Sequence, residues 1–424
     1  MAATAVRPAP TPPRERRGGG GTYLFLGAVA AIALHVLDDT VFQPPAGTSP
    51  AWISALVPLA LLGLAAWAYP RLTGGRRGAL ALALGVLGIA AGAEALHYTR
   101  TVGPSGDDFT GLLALAAGPV LLGLGAVTLW RTRRTGGNRA WRYARRALLG
   151  AAGLLVLAVV IFPTALAYVT THTARAVVPA NTLGAASEDV AFTTSDGLRL
   201  EGWYVPSRNG AAVIAFPGRS GPQDEARMLA RHGYGVLLLD RRGEGRSEGE
   251  PNAWGWGGWR DVEAAAAYLR RRTDVEPGRI GGIGFSVGGE MLIHAAAHSD
   301  AFKAIVSEGA SGQSIRDDIE NAGLIDGILS GGAITPATAL FTSTLPPSSL
   351  KSEIAKIAPT AAFFIYGEHG QGGTETKPNR AFYAAAGEPK QIWEVPNGQH
   401  IAGITTEPAE YESRVIGFFD RELR

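Results

Sequence analysis

Ser286 stands in the pentapeptide Gly284-Phe285-Ser286-Val287-Gly288, a G-x-S-x-G pattern between a strand-like run, Arg279 to Phe285, and a helix-like run from Gly289 onward. A serine held in such a turn can act as a nucleophile. The turn strains the serine backbone, which small flanking residues permit. It also lifts the hydroxyl above the sheet edge and points the next helix N-terminus at the site. A serine hydroxyl is a weak nucleophile at neutral pH, so the chemistry requires a base within hydrogen-bond reach and a carboxylate to orient that base. His400 is the candidate base, because Pro396-Asn397-Gly398-Gln399-His400 follows a strand-like run and precedes the final helix. The charge that forms on the attacked carbonyl oxygen calls for two backbone N–H donors. Val287, at the helix start beside the serine, supplies one.

A second copy of the pattern, Gly245-Arg246-Ser247-Glu248-Gly249, lacks this context, since a charged loop precedes it and Pro251 follows where a helix should begin. Ser247 reads as a solvated turn serine. His294 and His298 share a helix face but lack the glutamate of an H-E-x-x-H pair, so a structural or surface pair is expected. The chain has no cysteine, which excludes disulfides, thiolate catalysis and cysteine-ligated zinc. No metal or other cofactor is expected. A net charge of +2 gives no hint of nucleic acid, because the arginine clusters lie beside apolar runs where membrane orientation explains them.

The elements that must hold these residues alternate. Strand-like runs fall at 188–192, 198–205, 211–216, 235–240, 279–285, 304–307, 361–366 and 391–395, with helix-like runs at 224–232, 258–272, 288–298, 379–386 and 408–421. Near-continuous apolar strands between helices imply an α/β fold with a mainly parallel, doubly wound sheet covered on both faces. Reactive loops of such sheets lie at the carboxyl ends of the strands. Those ends carry Phe216-Pro217-Gly218-Arg219-Ser220-Gly221, the Asp240 to Ser247 loop, Ser286, Glu308, Glu368 with Glu375, and His400.

Four of these segments, GFSVGG, FPGRSG, LDRRGEGRSEG and PNGQH, come in an order that resembles the α/β-hydrolase family, in particular its serine esterase and peptidase-like members. The resemblance covers residues 187–424. It implies that Arg219 supplies the second oxyanion donor through its backbone amide, and that Asp240 and Arg242 hold the loop after the fourth strand. The family's acid usually follows the seventh strand in a G-x-x-D pattern, but here Gly370 stands where the aspartate would. Three glutamates remain as acids: Glu375 first, then Glu368 nearer the strand end, then Glu308 after the sixth strand. Residues 309–358 form an insertion that in this family commonly caps the site, and its apolar content suggests a hydrophobic acyl or side-chain pocket. Trp254, Trp256 and Trp259 read as loop and helix packing, ahead of a substrate wall.

Residues 1–175 read as a membrane region, followed by a linker at 176–186. Apolar runs at 22–37, 51–69, 78–96, 109–130 and 147–170 approach the length that about 30 Å of hydrocarbon demands. Five spans are therefore expected, and the absence of a small-x-small cleavage site after Leu37 favours a retained anchor over a signal peptide. His35, Glu94 and His97 lie near span ends, where interfacial solvation accounts for them. Arginine-rich segments stay on the cytoplasmic side. Arg7 to Arg17, Arg71 to Arg77 and Arg131 to Arg146 belong there, so an odd number of spans places the serine-bearing domain outside the cytoplasm. The resulting expectation is a multi-pass cell-membrane protein whose serine hydrolase domain cleaves a carboxylic ester, thioester or amide of a small-molecule or lipid acyl substrate. Acyl transfer by the same acyl-enzyme, or non-catalytic binding of a ligand or lipid, are the alternatives.

Overall fold

The structure is a computed structural model and describes residues 19–42, 52–101, 108–133, 138–173, 175 and 177–423. The chain divides into two compact units, one holding the helices up to residue 138 and one holding everything from Arg139 onward.

The first unit contains helices α1 (Gly19–Leu37), α2 (Trp52–Ala68), α3 (Gly74–Thr101) and α4 (Asp108–Arg131). Glycines spaced by seven residues form the seam between α3 and α4. A Cβ on Gly85 would lie 2.9 Å from the Gly118 carbonyl oxygen, and one on Gly78 would lie 3.0 Å from that of Gly125. The pairing of Gly78 with Gly125 and Gly85 with Gly118 makes the two helices antiparallel, with backbones as close as small residues allow. His35, near the end of α1, is buried rather than solvated, with Nδ1 3.3 Å from Thr110 Oγ1, whose hydroxyl donates to Asp38 at 2.8 Å. The side chains of Glu94 and His97 lie outside the described residues.

Four helices among the described residues, not the expected five, are long and apolar enough to cross a membrane: Gly19–Leu37, Gly74–Ala93, Phe109–Arg131 and Tyr143–Thr171. The run at 51–69 falls short because its helix, α2, has 17 residues. At about 1.5 Å per residue such a helix extends about 26 Å, less than the hydrocarbon thickness of about 30 Å.

The second unit opens with α5 (Arg139–Val156), which runs through a π-helical stretch at Leu157–Ile161 into α6 (Phe162–Thr171). An eight-stranded sheet follows, ordered β1-β2-β4-β3-β5-β6-β7-β8. Its strands are β1 (Glu188–Thr193), β2 (Arg199–Val205), β3 (Ala212–Phe216), β4 (Gly235–Leu239), β5 (Ile280–Phe285), β6 (Ala304–Glu308), β7 (Ala361–Gly367) and β8 (Lys390–Val395). β2 pairs antiparallel with β1 and β4, and every pairing from β4 through β8 is parallel.

The helices are α7 (Gln223–Arg231), α8 (Trp259–Leu269), α9 (Val287–His298), α10 (Ile315–Ala322), α11 (Leu324–Gly331), α12 (Ile334–Thr342), α13 (Leu350–Ile354), α14 (Thr376–Ala385), α15 (Gly403–Thr406) and α16 (Pro408–Leu423). Alternate strand residues feed two cores. Ile214 and Leu237 pack with Val262 and Leu292 on one face, while Val213 and Leu238 pack with Leu229 and Phe419 on the other. At about 1.5–3 kcal/mol per buried aliphatic or aromatic side chain, both faces must be covered, which explains why β3 to β7 are buried at every position. Register brings the strand ends level: Phe216 faces Gly284, Phe285 faces Glu308, and Glu308 faces Ile365. Helices α10 to α13 occupy the insertion between β6 and β7.

Candidate active site

Ser286 joins β5 directly to α9 and has φ +51° and ψ −121°, a conformation that costs a non-glycine residue on the order of 1–3 kcal/mol. Its N–H donates to the Glu308 carbonyl oxygen at 2.8 Å, which fixes the turn to the end of β6. The flanking glycines are required by space: a Cβ on Gly284 would stand 2.5 Å from the Gly288 carbonyl oxygen. Val287 begins α9, so its N–H is one of the amides that a helix leaves unpaired at its start, and the helix dipole favours negative charge there. Ser286 is half-buried.

His400 Nδ1 is hydrogen-bonded to Glu375 Oε1 in a very short contact. Glu375 is fully buried, and its Oε2 accepts the Gly367 N–H at 3.3 Å. It reaches this place from the N-cap of α14, after a loop in which Gln371, Gly372 and Gly373 all have positive φ. The imidazole lies against the chain just past β6, where a Cβ on Gly309 would meet His400 Cε1 at 3.0 Å. Since the residue before Gly309 holds the Ser286 amide, the serine and the imidazole converge on the end of one strand.

The other two glutamates do different work. Glu368 is exposed and accepts the Asn397 N–H at 2.9 Å, which braces the loop leading to His400. Glu308 is buried and accepts the Gly403 N–H at 2.9 Å and the Tyr411 hydroxyl at 2.8 Å. Burial holds the Glu308 carboxyl above its ordinary range.

The Arg219 amide is not placed as expected. Its N–H donates to Asp240 Oδ1 at 2.9 Å, while its Nε and Nη2 donate to Oδ2 of the same carboxylate at 2.9 and 2.5 Å. The amide is thus committed to a buried ion pair, and the guanidinium also lies over the Trp203 ring at 5.3 Å. Arg219 and Asp240 together lock the two loops after β3 and β4. Arg242 does the same between Asp261 and Asp196. Ser247 is buried, not solvated: its hydroxyl donates to the Asp240 carbonyl oxygen at 2.7 Å and accepts the Glu201 N–H at 3.0 Å.

The tryptophans pack the loop before α8. Trp254 Nε1 donates to Thr170 Oγ1 at 2.8 Å, Trp256 Nε1 donates to Gln313 Oε1 at 3.1 Å, and Trp259 stacks on His298. His298 Nδ1 bonds the His294 carbonyl oxygen at 2.8 Å, and no metal-binding group of side chains occurs among the described residues. One residue escaped the sequence reading. Glu290, in the first turn of α9, is buried and accepts the Ser311 and Gly312 N–H groups at 3.2 and 2.9 Å. Burial pushes its carboxyl up to about 7. An acidic residue one turn past the serine, just before the apolar run Met291 to Ile293, was its signal.

A family described as X-Pro dipeptidyl-peptidase (S15 family) matches residues 164–358. The uncharacterized protein YfhR of Escherichia coli (strain K12) is 26% identical over 250 residues, covering 55% of this chain and 80% of that protein. The polyketide transferase grgF of a Penicillium species is 34% identical over 134 residues, 28% of this chain and 43% of that protein. Among solved structures, the Pyrococcus furiosus esterase Pf2001 aligns with a TM-score of 0.48 at 22% identity, over 59% of this chain and 100% of that one. The parallel sheet with one reversed strand, the strained serine between β5 and α9, and the match across residues 164–358 lead to one assignment. The chain has an α/β-hydrolase fold preceded by apolar helices, and over residues 164–358 it is similar to the S15 peptidase family.

Proposed function

We propose that the protein is a membrane-anchored serine hydrolase that cleaves a carboxylic ester, thioester or amide through an acyl-enzyme on Ser286. The observation that carries this reading is the bond between the buried Glu375 and His400 Nδ1. It fixes the tautomer that leaves Nε2 free to take the Ser286 proton. The serine oxygen attacks the substrate carbonyl, His400 accepts the hydroxyl proton, and the Val287 N–H faces the oxyanion. Collapse of the intermediate breaks the bond to the leaving group, which His400 protonates. Water activated by the same imidazole then releases the acid and restores the serine.

Transfer of the acyl group to an alcohol in place of water is the second reading, supported by the likeness to a polyketide transferase. An ester, thioester and amide panel with the full-length protein in detergent tests the proposal, with an alcohol acceptor added to read transfer. Turnover of at least one class that is abolished in Ser286→Ala is expected. Turnover unaffected by that substitution contradicts it.

The hydrolase domain, residues 187–424, is proposed to face away from the cytoplasm. With four spans, the arginine bias is met best when the three arginines at 71–77 and the seven at 131–146 are cytoplasmic. The start of Tyr143–Thr171 is then inside and its end outside. The same count puts the N-terminus outside too, on the side of the hydrolase domain.

A further inference from the structure

The end of the last apolar helix is fastened to two parts of the hydrolase unit. The Thr170 carbonyl oxygen accepts the Ala253 N–H at 2.8 Å, and its hydroxyl accepts Trp254 Nε1–H at 2.8 Å. Helix α12 of the cap insertion packs along α6, where the Phe341 ring meets Tyr168 edge to face at 5.4 Å and His172 at 6.1 Å. The tryptophan loop in turn lies on the start of α9, since a Cβ on Gly255 would touch Val287 Cγ2 at 2.6 Å. One layer of side chains therefore separates the helix end from the cap, and one loop separates it from the residue beside Ser286. Along its length the same helix is nearly bare, with Leu148, Leu155 and Phe162 all more than 60% exposed.

The cap also carries an apolar face with no protein over it. Leu324, Ile325 and Ile328 of α11 are 64%, 73% and 49% exposed. At about 100° per residue they share one side of the helix, and Asp326 falls on the other. Leu345, after α12, is 84% exposed. Large aliphatic groups left in water forgo the gain of burial, and α12 ties this insertion to a helix that itself requires lipid.

We propose that the Leu324, Ile325 and Ile328 face of α11 inserts into the surface of the bilayer that Tyr143–Thr171 crosses, so that acyl substrates reach Ser286 from the lipid phase. The inference rests on Tyr143–Thr171 being a membrane span. It follows an interfacial pattern: an amphipathic helix buries its apolar side at the headgroup boundary and keeps its polar side wet.

The absence of cysteine allows clean single-site labelling. Ile325→Cys, Ile328→Cys, Leu155→Cys and Asp300→Cys are each labelled with the fluorophore NBD in the full-length protein. The proteins are reconstituted in phosphatidylcholine vesicles with and without doxyl-lipid. Doxyl-lipid is expected to remove most of the emission at positions 325, 328 and 155 and to leave position 300 unchanged, with aqueous iodide giving the reverse order. Quenching at 155 alone, with 325 and 328 behaving like 300, overturns the inference while leaving the span intact. Loss of quenching at 155 as well means that the span itself is wrong, and the inference falls with it. Protection at 325 that depends on protein density and not on doxyl-lipid assigns the face to a second copy of the chain, which also overturns it.

Discussion

Gly370 and Glu375 share one space: a Cβ built on Gly370 would lie 2.2 Å from Glu375 Oε2 and 2.3 Å from its Cδ. The carboxylate that orients His400 therefore comes in from Glu375 and occupies the direction in which a side chain at 370 would point. The glycine at 370 is thus part of the arrangement, because any larger residue would collide with the glutamate.

The shared space can be tested by exchanging the carboxylate between the two positions. Glu375→Ala should lower kcat on the order of 10⁴-fold, as expected when the orienting carboxylate of a triad is lost. Adding Gly370→Asp to that variant places a shorter carboxylate along the vacated direction. About 10²-fold of the lost rate should return, the scale associated with restoring roughly correct placement. Steady-state kinetics on the best ester substrate read both variants. No recovery in the double variant, with the fold intact by circular dichroism, contradicts a shared position.

The two nearby glutamates should separate cleanly. Glu375→Gln presents an amide to His400 Nδ1 and favours the wrong tautomer, so turnover should again fall on the order of 10⁴-fold. Glu368→Gln keeps an acceptor for the Asn397 N–H and should stay within about tenfold of wild type, since it perturbs a loop and not the imidazole. Severe loss in Glu368→Gln with a normal Glu375→Gln would transfer the acid role to the strand end.

Glu290 makes stability depend on pH. Burial raises its folded carboxyl from 4.5 to about 7, so between these values the folded chain holds a proton that the unfolded chain releases. Stability then falls as pH rises through that window and stays lower above it. Glu290→Gln keeps an acceptor for the Ser311 and Gly312 amides without the charge. Its denaturation midpoint in detergent should match wild type near pH 4.5 and exceed it at pH 8, by a stability difference on the order of 3 kcal/mol. A constant difference across that range would remove Glu290 as the cause.

The sheet was legible because its strands are short apolar runs bounded by turn residues, and Ile280 to Phe285 or Ala361 to Gly367 cannot be mistaken for surface. Ser286 was legible for a local reason, since five consecutive residues make its turn. The partner of His400 was not decided by sequence, because the loop from Gly370 to Glu375 folds through successive left-handed residues whose course no periodicity reveals. Arg219 was misread for the opposite reason. Its amide lies in the expected loop, but Asp240, 21 residues later, captures it. The fifth span failed on length: apolar content was sufficient in Trp52–Ala68, but 17 residues were not.

The number of spans has its own readout. With four spans and the arginine-rich segment before Tyr143 held inside, a tag at the N-terminus and the hydrolase domain lie on the same outer side. Protease added to cells with a permeabilised outer envelope should remove both. A protected tag with a digested hydrolase domain would restore five crossings, and digestion of neither before lysis would turn the whole arrangement over.

Reaction with a fluorophosphonate measures most directly whether Ser286 is the nucleophile. Full-length protein should be labelled, with the adduct mapping by mass spectrometry to the peptide that contains Ser286, and Ser286→Ala should lose the label. Labelling should also drop steeply in His400→Ala, which lacks the base. Adduct on the buried Ser247, label that persists in Ser286→Ala, or no label in a folded protein would contradict the account.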